Sequence, residues 1–107
     1  MLQKRIIPTL LLHEEALVKT VNFKNYKYVG DPCNTVKIFN ELEVDELIFQ
    51  DISSSLNNKS PNLKILNEIS NECFMPLGYG GGISSIRDAK AIFEIGFEKI
   101  CLNTSTL

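Results

Sequence analysis

PLGYGGGISSIRDAKAIFEIGFEKICLN, residues 76–103, contains a strand, a glycine turn, a helix and a second strand in succession. Residues 75–79 predict a short strand that runs directly into three glycines. Ser84 or Ser85 then caps a helix with apolar residues at helical spacing, and Gly96 ends it, because glycine is the favoured residue just past a helix. Residues 98–103 predict the next strand. The stretch therefore predicts one parallel strand–helix–strand unit.

The same alternation extends back to the start of the chain. Residues 5–12 and 46–52 form apolar runs of strand length, which suit parallel strands covered on both faces. Helices are predicted from Asp31-Pro32 to about Glu43 and from Ser60-Pro61 to about Cys73, each starting with a cap residue and proline. Residues 13–30 show no helical stripe and predict a long loop with room for a small hairpin.

The element order is therefore β-α-β-α-β-α-β, with parallel strands joined by right-handed crossovers. Two architectures satisfy this order, an open doubly wound sheet and part of a closed barrel. Composition does not separate them. Neither the dinucleotide-binding glycine fingerprint nor the P-loop pattern is present, which disfavours a nucleotide-binding fold.

Composition limits the classes of function. The chain has 107 residues, enough for one domain over residues 1–107, and a net charge of -2 gives no electrostatic basis for binding nucleic acid or an acidic membrane. No apolar run approaches the roughly 20 residues of a membrane helix. The 3 cysteines include no CxxC pair, which predicts reduced thiols in a cytoplasmic protein, and no metal-ligand spacing occurs.

Ligand-binding groups of parallel α/β proteins lie at the carboxyl ends of the strands. Residues 80–82 let backbone N–H groups approach an anion, and Asn103 and Thr104 offer further donors; the alternatives are a permissive turn and a helix cap. His13 and Lys19 are predicted to be surface residues, because the sequence shows no partner for a ligand or base there.

Charged residues stand at the other ends of three strands. These residues are Arg5, Glu46 and Lys99. Because side chains alternate along a strand, each of the three faces the same way as the residue two positions further along its strand. In a closed barrel they would form a charged ring at the floor, whereas in an open sheet they would be solvated strand ends.

Several segments together resemble the cyclase subunit of imidazole glycerol phosphate synthase. The likeness covers the whole chain without an evident gap. The matching segments are KRIIP (4–8), LVKTVNF (17–23), GDP (30–32), DELIFQDI (45–52), PLGYGGGI (76–83) and EKICLNTS (98–105).

The resemblance implies a (β/α)₈ barrel of about 250 residues, of which this chain would be the amino-terminal half. Members of that family receive ammonia from a glutaminase subunit at the floor and hold a phosphorylated substrate at the top. The residues that match one phosphate site are Gly81, Gly82, Asn103 and Thr104, and those that match the ammonia gate are Arg5, Glu46 and Lys99.

One position departs from the family. The resemblance places a catalytic aspartate at the end of the first strand, where this chain has Leu11, which can neither donate nor accept a proton. Lys19 and Asp51 match polar residues of the active face. We therefore expect no cyclase activity from this chain alone. Leu10-Leu11-Leu12 resembles a branch found in surface-polysaccharide gene clusters, in which the barrel channels ammonia toward a separate sugar-modifying enzyme.

Half a barrel would expose its apolar interior face. Ile7, Thr9, Leu11, Ile48, Gln50 and Cys101 are predicted to line that face. Such a surface is usually covered by association, so a homo-oligomer is expected. The alternative class of function is an oligomeric scaffold that binds a phosphate or sulfate ion, and neither alternative requires a cofactor or a metal.

Overall fold

The computed structural model describes residues 4–21, 25–52, 61–83 and 85–101. The elements in this part of the chain are β1 (Thr9–His13), β2 (Ala16–Val21), β3 (Asn25–Gly30), α1 (Pro32–Leu42), β4 (Leu47–Asp51), α2 (Leu63–Glu72), β5 (Leu77–Gly80), α3 (Ile86–Ile95) and β6 (Lys99–Cys101).

The strands form one sheet in the order β3-β2-β1-β4-β5-β6. β1, β4, β5 and β6 are parallel and are neighbours in chain order, with a helix in each connection. This succession is that of a (β/α) barrel and confirms the predicted fold class, a partial barrel.

The segment that was predicted to be a long loop with room for a small hairpin contains a hairpin, and its strands are part of the main sheet. β2 pairs antiparallel with both β1 and β3, so the sheet continues past β1 by two strands. The turn into β2 places Glu14 at φ 60°, in the left-handed region. The extent of this hairpin was underestimated because its sequence, with exposed residues such as Lys19, Lys27 and Tyr28, lacks the continuous apolar run that marked the other strands.

Several predicted boundaries also move by a few residues, such as that of the strand predicted over residues 75–79, which is Leu77–Gly80, and two of these shifts have a local physical cause. The first strand begins at Thr9 rather than Arg5, since Pro8 has no N–H to give to the sheet and contributes only its carbonyl, which accepts from Ile48 N at 3.0 Å. The second helix begins at Leu63, and its cap is Asn62, which accepts from Ile65 N at 3.3 Å.

The other predicted caps are confirmed. Asp31 accepts a hydrogen bond from Asn34 N at 3.0 Å at the start of α1, and Ser85 accepts from Asp88 N at 3.1 Å at the start of α3. Gly96 ends α3 at φ 127°, a conformation that favours glycine. Local capping chemistry therefore sets these helix ends.

The helices cover one face of the sheet. Leu12, Phe49 and Tyr79 of the sheet are fully buried with side chains of all three helices, including Val36, Leu66 and Ile92. On the opposite face, here called the open face, none of Thr9, Leu11, Ile48, Gln50 or Cys101 is fully buried. Among the described residues, no helix is long and apolar enough to cross a membrane.

Candidate functional site: the two ends of the open face

Three charged side chains meet at the amino ends of the parallel strands, here called the floor. Glu46 is 1% exposed, and Lys99 Nζ lies 3.0 Å from its Oε1 and donates to its Oε2 at 3.2 Å. Arg5 Nη2 lies 3.8 Å from Glu46 Oε2. The structure thus brings Arg5, Glu46 and Lys99 into one ion cluster.

The floor cluster combines a buried anion with exposed cations. The side chains of Arg5 and Lys99 are 59% and 58% exposed, whereas that of Glu46 is 2% exposed. A buried carboxylate is costly unless cations and hydrogen bonds compensate it. Glu46 is therefore compensated by two cations whose own side chains remain largely in solvent.

The carboxyl ends of the strands, here called the mouth, carry a different set of side chains. Leu11, Gln50, Gly80 and Cys101 are paired in register across β1, β4, β5 and β6, so they form one row on the open face. A Cβ at Gly80 would lie 2.5 Å from Gln50 Oε1, so the glycine makes room for that amide. None of these four side chains carries a formal charge, in contrast to the floor.

The glycine turn follows this row directly. Gly81 is buried and Gly82 half-buried, and Ile83 N donates to Gly81 O at 2.9 Å. α3 begins four residues after Gly82. Asn103 and Thr104, the other two residues predicted to bind phosphate, lie outside the described residues.

Two residues matched to the family's active face lie on the other side of the sheet. Val18 pairs with Leu11, which places Lys19, one residue on, on the helix-facing side, where it is exposed. Asp51 pairs with Leu12 on that same side and is 2% exposed. The alternation of side chains along β2 and β4 therefore separates both residues from the row that contains Leu11.

Asp51 has a partner that the sequence did not indicate. Tyr79 donates its hydroxyl hydrogen bond to Asp51 Oδ2 at 2.9 Å, and Tyr79 is fully buried. No local pattern marks this pair, because the two residues are 28 positions apart. An aromatic residue with a polar tip just before a glycine run is the one feature that could have drawn attention to it.

His13 lies at the mouth, at the end of β1. It lines an open depression of about 530 Å³ together with Glu14, Glu15, Ala16, Val18 and Tyr28. The imidazole is half-buried rather than fully exposed, which modifies the prediction of a surface residue.

The described thiols and acids do not form a metal site. Within residues 4–21, 25–52, 61–83 and 85–101, no group of three or more His, Cys, Asp or Glu side chains is placed to bind a metal ion.

Burial, with a contribution from nearby Asp31, raises the pKa of Cys33, and burial raises that of Cys73. These two cysteines are therefore poor nucleophiles at neutral pH.

Four parallel strands that are neighbours in chain order, with a helix in each connection, define this class of protein as a partial (β/α) barrel. A family model described as "Histidine biosynthesis protein" matches residues 5–107. The chain belongs to that family.

Its relatives agree with this assignment. The chain is 53% identical over 107 residues to "Putative imidazole glycerol phosphate synthase subunit hisF2" of Pseudomonas aeruginosa. This alignment covers 100% of the chain and 43% of that protein. The chain is 50% identical over 104 residues to "Putative imidazole glycerol phosphate synthase subunit HisF" of Leptospira interrogans, covering 97% and 41%.

A relative of lower identity has the same subunit name without the word "putative". "Imidazole glycerol phosphate synthase subunit HisF" of Methanococcus maripaludis is 40% identical over 107 residues, covering 100% of the chain and 39% of that protein. The chain therefore spans about two fifths of the length of the relatives it matches.

Proposed function

We propose that this chain serves as the amino-terminal half of a cytoplasmic ammonia-conducting barrel that binds a phosphorylated small molecule but does not carry out the proton transfer of the cyclase reaction. The observation that carries the proposal is the contrast between the two ends of the open face. The floor retains a buried carboxylate between two cations, whereas the mouth presents Leu11 where the family resemblance places an aspartate.

The floor suits the passage of a small neutral amine. Neutral ammonia crosses an apolar passage more readily than ammonium, because a charge is costly to desolvate. The exposed cations Arg5 and Lys99 disfavour entry of ammonium by repulsion. Above the floor, Thr9 and Ile48 pair in register on the open face and give it a largely uncharged lining.

A glutaminase subunit of the kind that supplies ammonia to imidazole glycerol phosphate synthase would dock at this floor. Ile6, Leu42 and Phe74, which are 62%, 64% and 87% exposed, all lie in segments that lead into the amino ends of parallel strands. Exposed large apolar side chains at one end of a protein are a feature of protein interfaces.

Docking is tested by two matched substitutions. Phe74→Asp should weaken binding of a glutaminase subunit by at least about tenfold, as expected for an aromatic anchor. Ile86→Asp changes a side chain that is 77% exposed on α3, away from the floor, and should leave binding unchanged. Equal effects of the two variants, or no binding by the parent chain, would contradict docking at the floor.

The loss of proton transfer is tested in a completed barrel. Residues 1–107 are fused to the carboxyl-terminal half of a working cyclase, and turnover of the bisphosphorylated aminoimidazole ribonucleotide is measured with ammonium salt. We expect no turnover with Leu11, recovery with Leu11→Asp, and none with Leu11→Asn, which has similar size but cannot exchange a proton. Turnover by the unsubstituted fusion would overturn the proposal. If Leu11→Asp also fails, ammonia delivery to a separate sugar-modifying enzyme is favoured.

A second candidate is an oligomeric phosphate-binding scaffold, which the incompletely buried open face favours. Two copies that pack their open faces would bury Leu11 and Ile48. Light scattering at micromolar concentration would then give a dimer mass or greater, and Ile48→Asp would reduce it to that of one chain. Millimolar phosphate that does not raise the melting temperature would argue against the phosphate site in either candidate.

A further inference from the structure

The hydrogen bond between Tyr79 and Asp51 connects the mouth ends of two parallel strands beneath the open face. Tyr79 Oη lies 2.9 Å from Asp51 Oδ2, and the two residues are 0% and 2% exposed. Asp51 is the last residue of β4, and Tyr79 is the penultimate residue of β5. The bond therefore ties β4 to β5 at the end where the glycine turn begins.

Buried side chains anchor the glycine turn on both sides. Before it, the Tyr79 ring packs edge-on against Phe97, with ring centroids 6.3 Å apart and an interplanar angle of 89°. After it, Ile83 is 2% exposed. Only Gly80, Gly81 and Gly82 separate the two anchors. The position of Tyr79 therefore constrains the backbone of the turn.

Packing alone does not account for the hydroxyl. A phenylalanine would fill nearly the same core volume without placing a hydroxyl in a buried site, where a polar group is costly unless it is hydrogen-bonded. Glycine backbones are also the most flexible, and an anion binds tightly to amides only when they are already held in place. A hydrogen bond that fixes one end of a glycine turn supplies this preorganisation.

We propose that Tyr79 is a positioning residue for phosphate binding, acting through its hydrogen bond to Asp51 to hold Gly81 and Gly82 in place. The inference rests on the proposed phosphate site at that turn. Tyr79 would not touch the anion, since its side chain lies on the helix-facing side of the sheet.

The experiment measures the Kd for inorganic phosphate of the 107-residue chain by amide chemical-shift titration, well below the melting temperature. Tyr79→Phe and Asp51→Ala should each raise Kd by about tenfold, the equivalent of about 1.4 kcal/mol. Asp51→Asn retains an oxygen acceptor and should bind phosphate at least as tightly as the parent. The double variant Tyr79→Phe/Asp51→Ala should be no weaker than either single variant, since both remove the same bond.

A control separates positioning from general stability. Val36→Ala truncates a fully buried side chain in α1 and should lower the melting temperature while leaving the phosphate Kd unchanged. If the Tyr79 hydroxyl had only a structural role, Tyr79→Phe would likewise lower the melting temperature and leave the phosphate Kd unchanged.

The outcomes distinguish the inference from the proposed function. If the parent chain binds phosphate and Tyr79→Phe binds it within twofold, or if Asp51→Asn weakens binding as much as Tyr79→Phe, the positioning role is wrong and the phosphate site stands. If the parent chain shows no saturable phosphate binding, both are wrong.

Discussion

The two faces of the sheet differ although the same strands build both. Along β4, Leu47 and Phe49 are 0% exposed against the helices, whereas Ile48 and Gln50 are half-buried on the open face. The helix-facing side holds the hydrophobic core, and the open face holds the charged floor and the neutral mouth. Stability and proposed function are therefore divided between alternating residues of one strand.

The largest expected effect tests this difference between the two faces at two adjacent residues of β4. Leu47→Ala should lower the free energy of unfolding by about 3 kcal/mol, because it leaves a cavity in the core. Ile48→Ala, one position on, should cost about 1 kcal/mol, because its side chain is only partly buried. Urea unfolding measures both. Equal costs would mean that the open face is covered in solution as fully as the helix-facing side.

The floor cluster predicts the next effect. Lys99→Met keeps the apolar stem and removes the ammonium, leaving Glu46 with Arg5 at 3.8 Å. Since Lys99 is 58% exposed, solvent screening limits the expected loss to about 1 kcal/mol.

Two further variants test the origin of that loss. Glu46→Gln combined with Lys99→Met should recover most of the stability, because no uncompensated buried charge remains. Glu98→Gln, at an exposed neighbouring position, should have no effect. If the single and double variants are equally unstable, charge compensation is not the cause.

An effect of similar size is expected at the mouth. Gly80→Ala would bring a Cβ within 2.5 Å of Gln50 Oε1, and the amide has to move aside. Because Gln50 is long and flexible, the cost should be about 1 kcal/mol, at the low end for an overpacked site. Thermal unfolding of Gly80→Ala with and without Gln50→Ala tests this, and costs that simply add would show that the two positions do not interact.

The cysteines give a prediction of rate rather than stability. Cys101 is exposed on the open face, whereas burial raises the pKa of Cys33 and of Cys73 and keeps them protonated at neutral pH. Iodoacetamide at pH 7.5 should therefore alkylate Cys101 faster than Cys33 and Cys73, because Cys101 is accessible and the thiolate fraction falls when burial raises the pKa of a thiol.

Peptide mass spectrometry follows the three sites, and Cys101→Ser should abolish the fast phase. Faster reaction at Cys33 would be inconsistent with the two faces as described. Protection of Cys101 that increases with protein concentration would instead indicate that a second copy covers the open face.

Much of the fold could be predicted from adjacent residues. The cap at Asp31 and the glycine at 96 depend on side-chain and backbone chemistry within a few positions, and both ends are confirmed. The hairpin of β2 and β3 was underestimated, because its strands gain their stability by joining the edge of β1 rather than from their own apolar content.

The candidate site divides in the same way. The sequence alone could predict that Arg5, Glu46 and Lys99 lie together. Each precedes or begins a parallel strand, and strand alternation points all three side chains to the same face. Lys19 and Asp51 could not be placed from the motif they match, because a single position of strand alternation decides the face on which each lies.

The sequence by itself determined the alternation of parallel strands and helices, the start of α1, the end of α3 and the family resemblance, because periodicity, capping and motif identity are properties of neighbouring residues. Only the tertiary structure decided that Glu46 is buried between two cations and that Tyr79 donates to Asp51. Both depend on the register of strands that are distant in the chain, and that register is set by packing against the helices rather than by any local segment.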